Sequence, residues 1–219
     1  MRSILLILFL ILIFPESNAQ RKADLGIIGG GAYYMGEINM ARHFYKPSPV
    51  YGAMARYNFN PRNSLRFHLM YGSLKGDDLD FNNDFQQARG ANFKTTMLDM
   101  SLNMEFNFFP YETGRLRKEK YTPYATAGMG YSHVFDTEKQ GSVALIFTGG
   151  AGFKMNVTKT ISTGVEWSFR KTFNDLYDGI ENPGPDYTTF YHNNDWYSTV
   201  GIFVTYKFLR YLYECPAYE

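Results

Sequence analysis

NFKTTMLDMSLNMEFNF, residues Asn92–Phe108, alternates from Leu98 onward: Leu98, Met100, Leu102, Met104, Phe106 and Phe108 are apolar, and Asp99, Ser101, Asn103, Glu105 and Asn107 lie between them. Successive side chains of a β-strand point to opposite faces, so this segment has one apolar face and one polar, charged face. A helix of period 3.6 would scatter both sets around its circumference. The segment also exceeds the about 5–6 residues usual for a strand. A strand that crosses a bilayer needs about 9–11 residues at a tilt of about 45°. The segment reads as a transmembrane β-strand, apolar side toward lipid and polar side toward a barrel lumen.

The same pattern recurs on both sides of it. Ala23–Met35, Val50–Tyr57 and Ser64–Leu74 precede it, and Tyr121–Tyr131, Val143–Val157, Thr160–Thr172 and Asp195–Phe208 follow. In the sixth strand Val143, Leu145, Phe147, Phe153 and Met155 alternate with Thr148, Lys154 and Asn156; in the seventh Ile161, Val165, Trp167 and Phe169 alternate with Ser162, Glu166, Ser168 and Arg170. The first strand is centred on Gly29-Gly30-Gly31, which is weak in strand propensity but permits a bend or a close backbone approach. The count predicts an all-β fold, an eight-stranded antiparallel transmembrane outer-membrane β-barrel over residues 20–208.

The connections after the first, third, fifth and seventh strands are long: Gly36–Ser48, Lys75–Gly90, Ser132–Ser142 and Phe173–Asn194. Those after the second and sixth, Asn58–Asn63 and Thr158-Lys159, are short; Pro110–Lys120 after the fourth is longer than a typical turn. Outer-membrane barrels have short periplasmic turns and longer extracellular loops, which places both termini in the periplasm. Residues 209–219 then form a periplasmic C-terminal tail.

Export is expected from the first residues. Arg2 precedes an unbroken apolar run, Ile4 to Phe14, which is shorter than the about 20 residues of a membrane helix. Ser17-Asn18-Ala19 then supplies small residues for cleavage, so residues 1–19 read as a secretory signal peptide. Aromatic residues make up 18% of the chain, a richness that suits interfacial girdles. The net charge of +1 gives no reason to expect nucleic acid, and Cys215, the single cysteine, has no intrachain disulfide partner.

The polar parity carries Arg56, Arg66, Asp99, Glu105, Lys154, Glu166, Arg170 and Lys207. An eight-stranded barrel is filled by its side chains, and an unpaired buried ion costs several kcal/mol. Arg56, Arg66, Lys154 and Arg170 with Asp99, Glu105 and Glu166 are therefore expected to form a lumen charge network that holds the barrel shut, with Lys207 near its periplasmic end. A catalytic or conducting lumen is the alternative. A soluble lipocalin-like barrel would reverse the faces, apolar residues inside around a ligand. Pattern alone does not exclude it, but strand length and repeated aromatic ends favour the membrane.

Other constellations are weaker. Gly29-Gly30-Gly31 leads into Ala32-Tyr33-Tyr34 rather than into the helix a dinucleotide site requires. His43, His68, His133 and His192 have no metal-ligand spacing, and Asp77, Asp78, Asp80 and Asp84 lack the bidentate Glu of a calcium loop. Ser132 and His133 are adjacent, so in an extended chain they point to opposite faces and do not make a hydrolase pair. No cofactor, metal or catalytic residue is expected, and the protein reads as a non-enzyme.

Five stretches carry a resemblance: Ala23-Asp24-Leu25-Gly26 with Gly31 to Asn39; Arg56 to Arg62; Leu102 to Tyr111 followed by Thr122-Pro123-Tyr124; Gly164 to Phe173; and Cys215-Pro216-Ala217. Together they resemble the DUF6089 family of Bacteroidota outer-membrane barrels, which includes PorG of the type IX secretion system. The resemblance implies an outer-membrane, non-enzymatic part of the machinery that exports proteins with C-terminal signals and, in gliding bacteria, adhesins. It also implies periplasmic ring proteins of the PorK and PorN kind as partners, besides outer-membrane lipid. From topology, ring-facing surfaces would be Asn58–Asn63, Pro110–Lys120 and residues 209–219, with Arg115, Arg117, Lys118 and Lys120 as a basic contact turn. A stand-alone barrel that binds ligands or supports the envelope remains the second reading.

Overall fold

The computed structural model describes residues 23–36, 39, 42–82, 84–111, 120–135, 142–173 and 196–208. The expected signal peptide and tail, and Arg115, Arg117, Lys118, His192 and Cys215, lie outside the described residues. The strands are β1 (Ala23–Met35), β2 (Ser48–Asn58), β3 (Asn63–Asp77), β4 (Asn92–Asn107), β5 (Tyr121–Phe135), β6 (Ser142–Asn156), β7 (Ile161–Thr172) and β8 (Trp196–Lys207). They form a closed antiparallel barrel in sequence order. β1 closes it on β8, with Gly30 paired to Gly201 and Ile27 to Val204.

The faces divide as the alternation requires. Ile27 is 69% exposed and Leu102 is 50% exposed on the outer wall, while Arg56 is 2% and Lys154 is 0% exposed inside. A soluble barrel would bury the first pair and expose the second, so this wall is built for an apolar surrounding. Exposed aromatics mark both borders of the outer wall. Tyr57, Phe106, Phe108, Tyr121, Phe153 and Tyr206 lie toward the end that carries the first and last strand termini; Tyr51, Tyr71, Tyr131 and Trp196 lie toward the far end.

Two turns at the terminus-bearing end are closed by side chains. Asn60 Oδ1 accepts from the backbone N–H groups of Arg62 and Asn63 at 2.9 and 2.8 Å. Thr158 Oγ1 accepts from those of Thr160 and Ile161. The second turn is wider than the two residues expected, because pairing stops at Asn156–Ser162 and Val157 N–H donates to Ile161 O.

Two strand ends and one loop depart from expectation. β5 runs on to Phe135, so Ser132 and His133 lie in a strand rather than a loop. Ser132 faces inward and is buried while His133 is partly exposed beside the Phe135 ring, on opposite faces as alternation demands. β3 extends to Asp77, and the segment read as a polar loop holds a 3₁₀ turn, Asp78–Asp80, and a short helix, α1 (Asp84–Arg89). Gly90, at φ +58°, ends α1 with its N–H donating to Gln86 O at 2.8 Å, a left-handed cap that glycine accepts without strain.

Charge braces the β3–β4 connection and ties it to the β1–β2 connection. The buried Asp78 carboxylate accepts from Arg89 Nε at 2.6 Å and Nη2 at 2.8 Å, and from the Ala91 N–H at 3.1 Å. Lys46 pairs with Asp80 at 2.5 Å and Asp77 at 3.2 Å, and Tyr45 donates to Asp80 at 2.5 Å. Burial and the Asp80 contact push the Tyr45 hydroxyl up to about 12, and the same carboxylate holds the Lys46 ammonium above its ordinary range.

Two outcomes test this fold. A Cβ on Gly30 would lie 2.0 Å from Val200 O, whereas one on Gly29 meets nothing within 4 Å. Gly30→Val should prevent seam closure and abolish the gel-mobility shift between unboiled and boiled barrel; Gly29→Val should leave it intact. The Arg89 guanidinium holds the Asp78 carboxyl below the usual carboxylate range. Its contribution is thus complete above about pH 4 and lost as pH falls through the depressed value. Amide exchange at Ala91 should stay protected from pH 7 down to about pH 4 and open below it; opening already at pH 6 would refute this.

Candidate functional site

The strongest concentration of chemistry lies inside the barrel. The inward parity of β2, β3, β4, β6 and β7 brings Arg56, Arg66, Glu105, Lys154 and Glu166 to one level. Glu105 is the hub. Its Oε2 lies 3.2 Å from Arg56 Nη2 and 3.5 Å from Arg66 Nη1, ion-pair contacts without hydrogen-bond geometry. Its Oε1 accepts a hydrogen bond from Lys154 Nζ. Arg66 donates twice to Glu166, at 2.5 and 3.0 Å, a two-pronged fit of guanidinium to carboxylate. Tyr124 donates to Glu166 at 2.6 Å, and Arg66 and Lys154 lie over its ring.

Arg170 and Asp99 form a separate group nearer the far end, 3.3 Å apart. Tyr197 and Ser132 donate to Asp99 at 2.7 and 2.5 Å, and Arg170 donates to Thr199 and Ser168. The seven residues anticipated for the lumen are all inside and buried, but they divide into two groups rather than one.

Two participants were not anticipated. Asp24 on β1 pairs with Arg56 at 3.3 Å and accepts from Asn58. The parity of Leu25 and Ile27 outward would have placed it inward. Tyr111, from the connection read as polar, turns back into the terminus-bearing mouth and is 3% exposed. Its hydroxyl donates to Asn156 at 2.5 Å and lies 3.1 Å from the Ser162 hydroxyl, and Lys154 and Lys207 lie over its ring at 4.7 and 5.6 Å. Lys207 also donates to Asn156. Of the basic turn, Lys120 alone is described; it is exposed.

The far mouth is sealed by apolar side chains on the inward parity: Tyr34, Val50, Leu74, Met97, Val134 and Ala144, with Phe93 against them. Between the two seals, a void beside Ile28, Met70, Glu166 and Thr199 holds about 10 Å³. That void admits about one water. Among the described residues no group of His, Cys, Asp or Glu could hold a metal ion.

Removing one member of a buried ion cluster leaves its partners uncompensated, at about 3–5 kcal/mol. Glu105→Ala should therefore lower the urea midpoint of the refolded barrel strongly, followed by tryptophan fluorescence. Arg66→Lys, which keeps the charge but loses the fork, should cost about 1–2 kcal/mol. Equal midpoints for Glu105→Ala and the unaltered chain would sink the hub assignment.

No curated protein matches the chain. Among solved structures it is similar to Neisserial surface protein A, at 12% identity and a TM-score of 0.54, over 85% of this chain and 97% of that one. It is also similar to OprG, an outer membrane protein of Pseudomonas aeruginosa, at 11% identity and a TM-score of 0.45, over 87% and 98% of the two chains. A major outer membrane protein of Thermus thermophilus is similar at 14% identity and a TM-score of 0.46, over 85% and 99%. At 12% identity the likeness to Neisserial surface protein A is one of fold, the outer-membrane β-barrel. The family model of DUF6089, described as a domain of unknown function, matches residues 2–217, nearly the whole length, and the chain belongs to that family.

Proposed function

We propose that this protein is a non-enzymatic barrel of the outer membrane that serves as an accessory or scaffold component of the type IX secretion machinery. The observation that carries the proposal is the filled interior. With ion clusters at its centre, Tyr111 in one mouth and an apolar seal in the other, the tube offers a solute neither a path nor a reaction chamber. Function is thereby left to the rims and the outer wall. The family resemblance of the motifs points to a periplasmic ring as the partner.

In this reading the short turns at the terminus-bearing end face the periplasm, as is general for such barrels. Asn58–Asn63, the turn ending at Lys120 and residues 209–219 meet the ring, and Arg115, Arg117, Lys118 and Lys120 seat an acidic surface. A stand-alone barrel that binds an external ligand is the second reading. The link of the β1–β2 connection to the β3–β4 connection through Tyr45–Asp80, and the bracing of the latter by Arg89–Asp78, favour it.

Affinity purification of the tagged protein from its native outer membrane in mild detergent tests the two readings. Near-stoichiometric recovery of PorK- and PorN-like ring proteins is expected. Changing the four basic residues to Gln should release the ring while the barrel keeps its heat-dependent gel shift. A folded barrel recovered without those partners would reject the secretion role in favour of the stand-alone barrel.

A further inference from the structure

The outer wall of β3 and β4 carries a feature that neither the barrel nor a periplasmic ring explains. Going up the outward parity, Tyr71 pairs with Leu98, Ser73 with Thr96, Lys75 with Lys94, and Asp77 with Asn92. Lys75 and Lys94 are thus directly opposite one another, and both are exposed. Side chains so paired have Cβ atoms about 4.5–5.5 Å apart, and like charges there repel. Neither lysine has an ion-pair partner among the described residues. Lys46, anchored by Asp77 and Asp80, joins them from the neighbouring loop.

These three lysines, with Pro47, Asp77 and Asn92, line an open bay of about 460 Å³. Three ammonium groups face the Asp77 carboxylate, and Asp80 pairs with Lys46 from beside the bay, so a net positive charge remains and it resides on Lys75 and Lys94. Its height is informative. The lysine pair stands four residues beyond Tyr71 along β3. At about 3.3 Å per residue and a tilt of about 40°, that is about 10 Å above the aromatic border. Lysine side chains bend back toward the interface, so the ammonium groups reach the headgroup layer that flanks the hydrocarbon core.

We propose that this bay is a binding site for a phosphomonoester-bearing lipid headgroup of the outer leaflet. The dianionic phosphate sits between Lys75 and Lys94 and removes their mutual repulsion. Lys46 and the Asn92 amide reach the rest of the headgroup, and the acyl chains run down the wall past Tyr71 and Leu98. The opposite wall serves as an internal control: its outward Lys171 lies over the Trp196 ring at 5.1 Å, so its charge is already engaged.

The test uses the full mature chain, refolded in a zwitterionic detergent and examined by native mass spectrometry. The probes are lipid A with two phosphates, the same lipid after enzymatic removal of both, and inorganic phosphate. The unaltered protein should retain the phosphorylated lipid in preference to the dephosphorylated one. Lys75→Gln with Lys94→Gln should weaken that binding by about tenfold or more without changing the heat-dependent gel shift. Lys171→Gln should change it less than about twofold. Equal loss on Lys171→Gln, equal retention of the dephosphorylated lipid, or inorganic phosphate bound as tightly as the lipid would each overturn the proposal. The readout is made on the isolated barrel, so a missing ring partner would leave it untouched.

Discussion

A barrel of eight strands is just wide enough to be filled by side chains, and here those side chains are charged. In such a space an ion is tolerated only beside its counter-ion. Glu105 meets this requirement for Arg56 and Lys154 at once, and Glu166 does so for Arg66. The partners come from strands that are not neighbours: Arg66 and Glu166 stand 100 residues apart in the chain. Backbone ladders join each strand to the next, whereas these pairs act across the tube. They oppose both a slip of register and an ovalisation of the barrel, because either would separate buried charges from their counter-ions across the tube.

Closure of the two mouths follows different chemistry. At the terminus-bearing end a phenol fills the opening and satisfies polar groups, with Tyr111 joining Asn156 and Ser162 under two ammonium groups. At the far end the inward positions become apolar, from Val50 and Leu74 to Met97 and Val134. Above that seal the described parts of the β1–β2 and β3–β4 connections are held by Asp78 and Asp80. On the outer surface the opposed Lys75 and Lys94 are the clearest concentration of like charge.

The alternation from Leu98 to Phe108, and its recurrence in seven other segments, is enough to derive the eight strands, the apolar wall and the inward charges. A period of two leaves each side chain only two faces to choose from, so parity alone sorts Glu105 from Phe106. The same rule would have found Asp24, one residue before the outward Leu25, had the first strand been read for its polar face. Strand ends were less legible. β5 continues through Ser132 and His133 because Ser132 has a partner in Asp99, on the adjacent strand.

Membership of each face is therefore settled by the order of residues alone, since it depends on spacing within a single strand. Pairing across the lumen needed the folded barrel: that Glu105 serves three cations while Arg170 and Asp99 stand apart, that Gly30 is crowded by Val200 while Gly29 is not, and that Tyr111 leaves a polar connection to enter the lumen. Each of these depends on distances between strands remote in the chain. Such distances exist only once tilt, register and closure are set together.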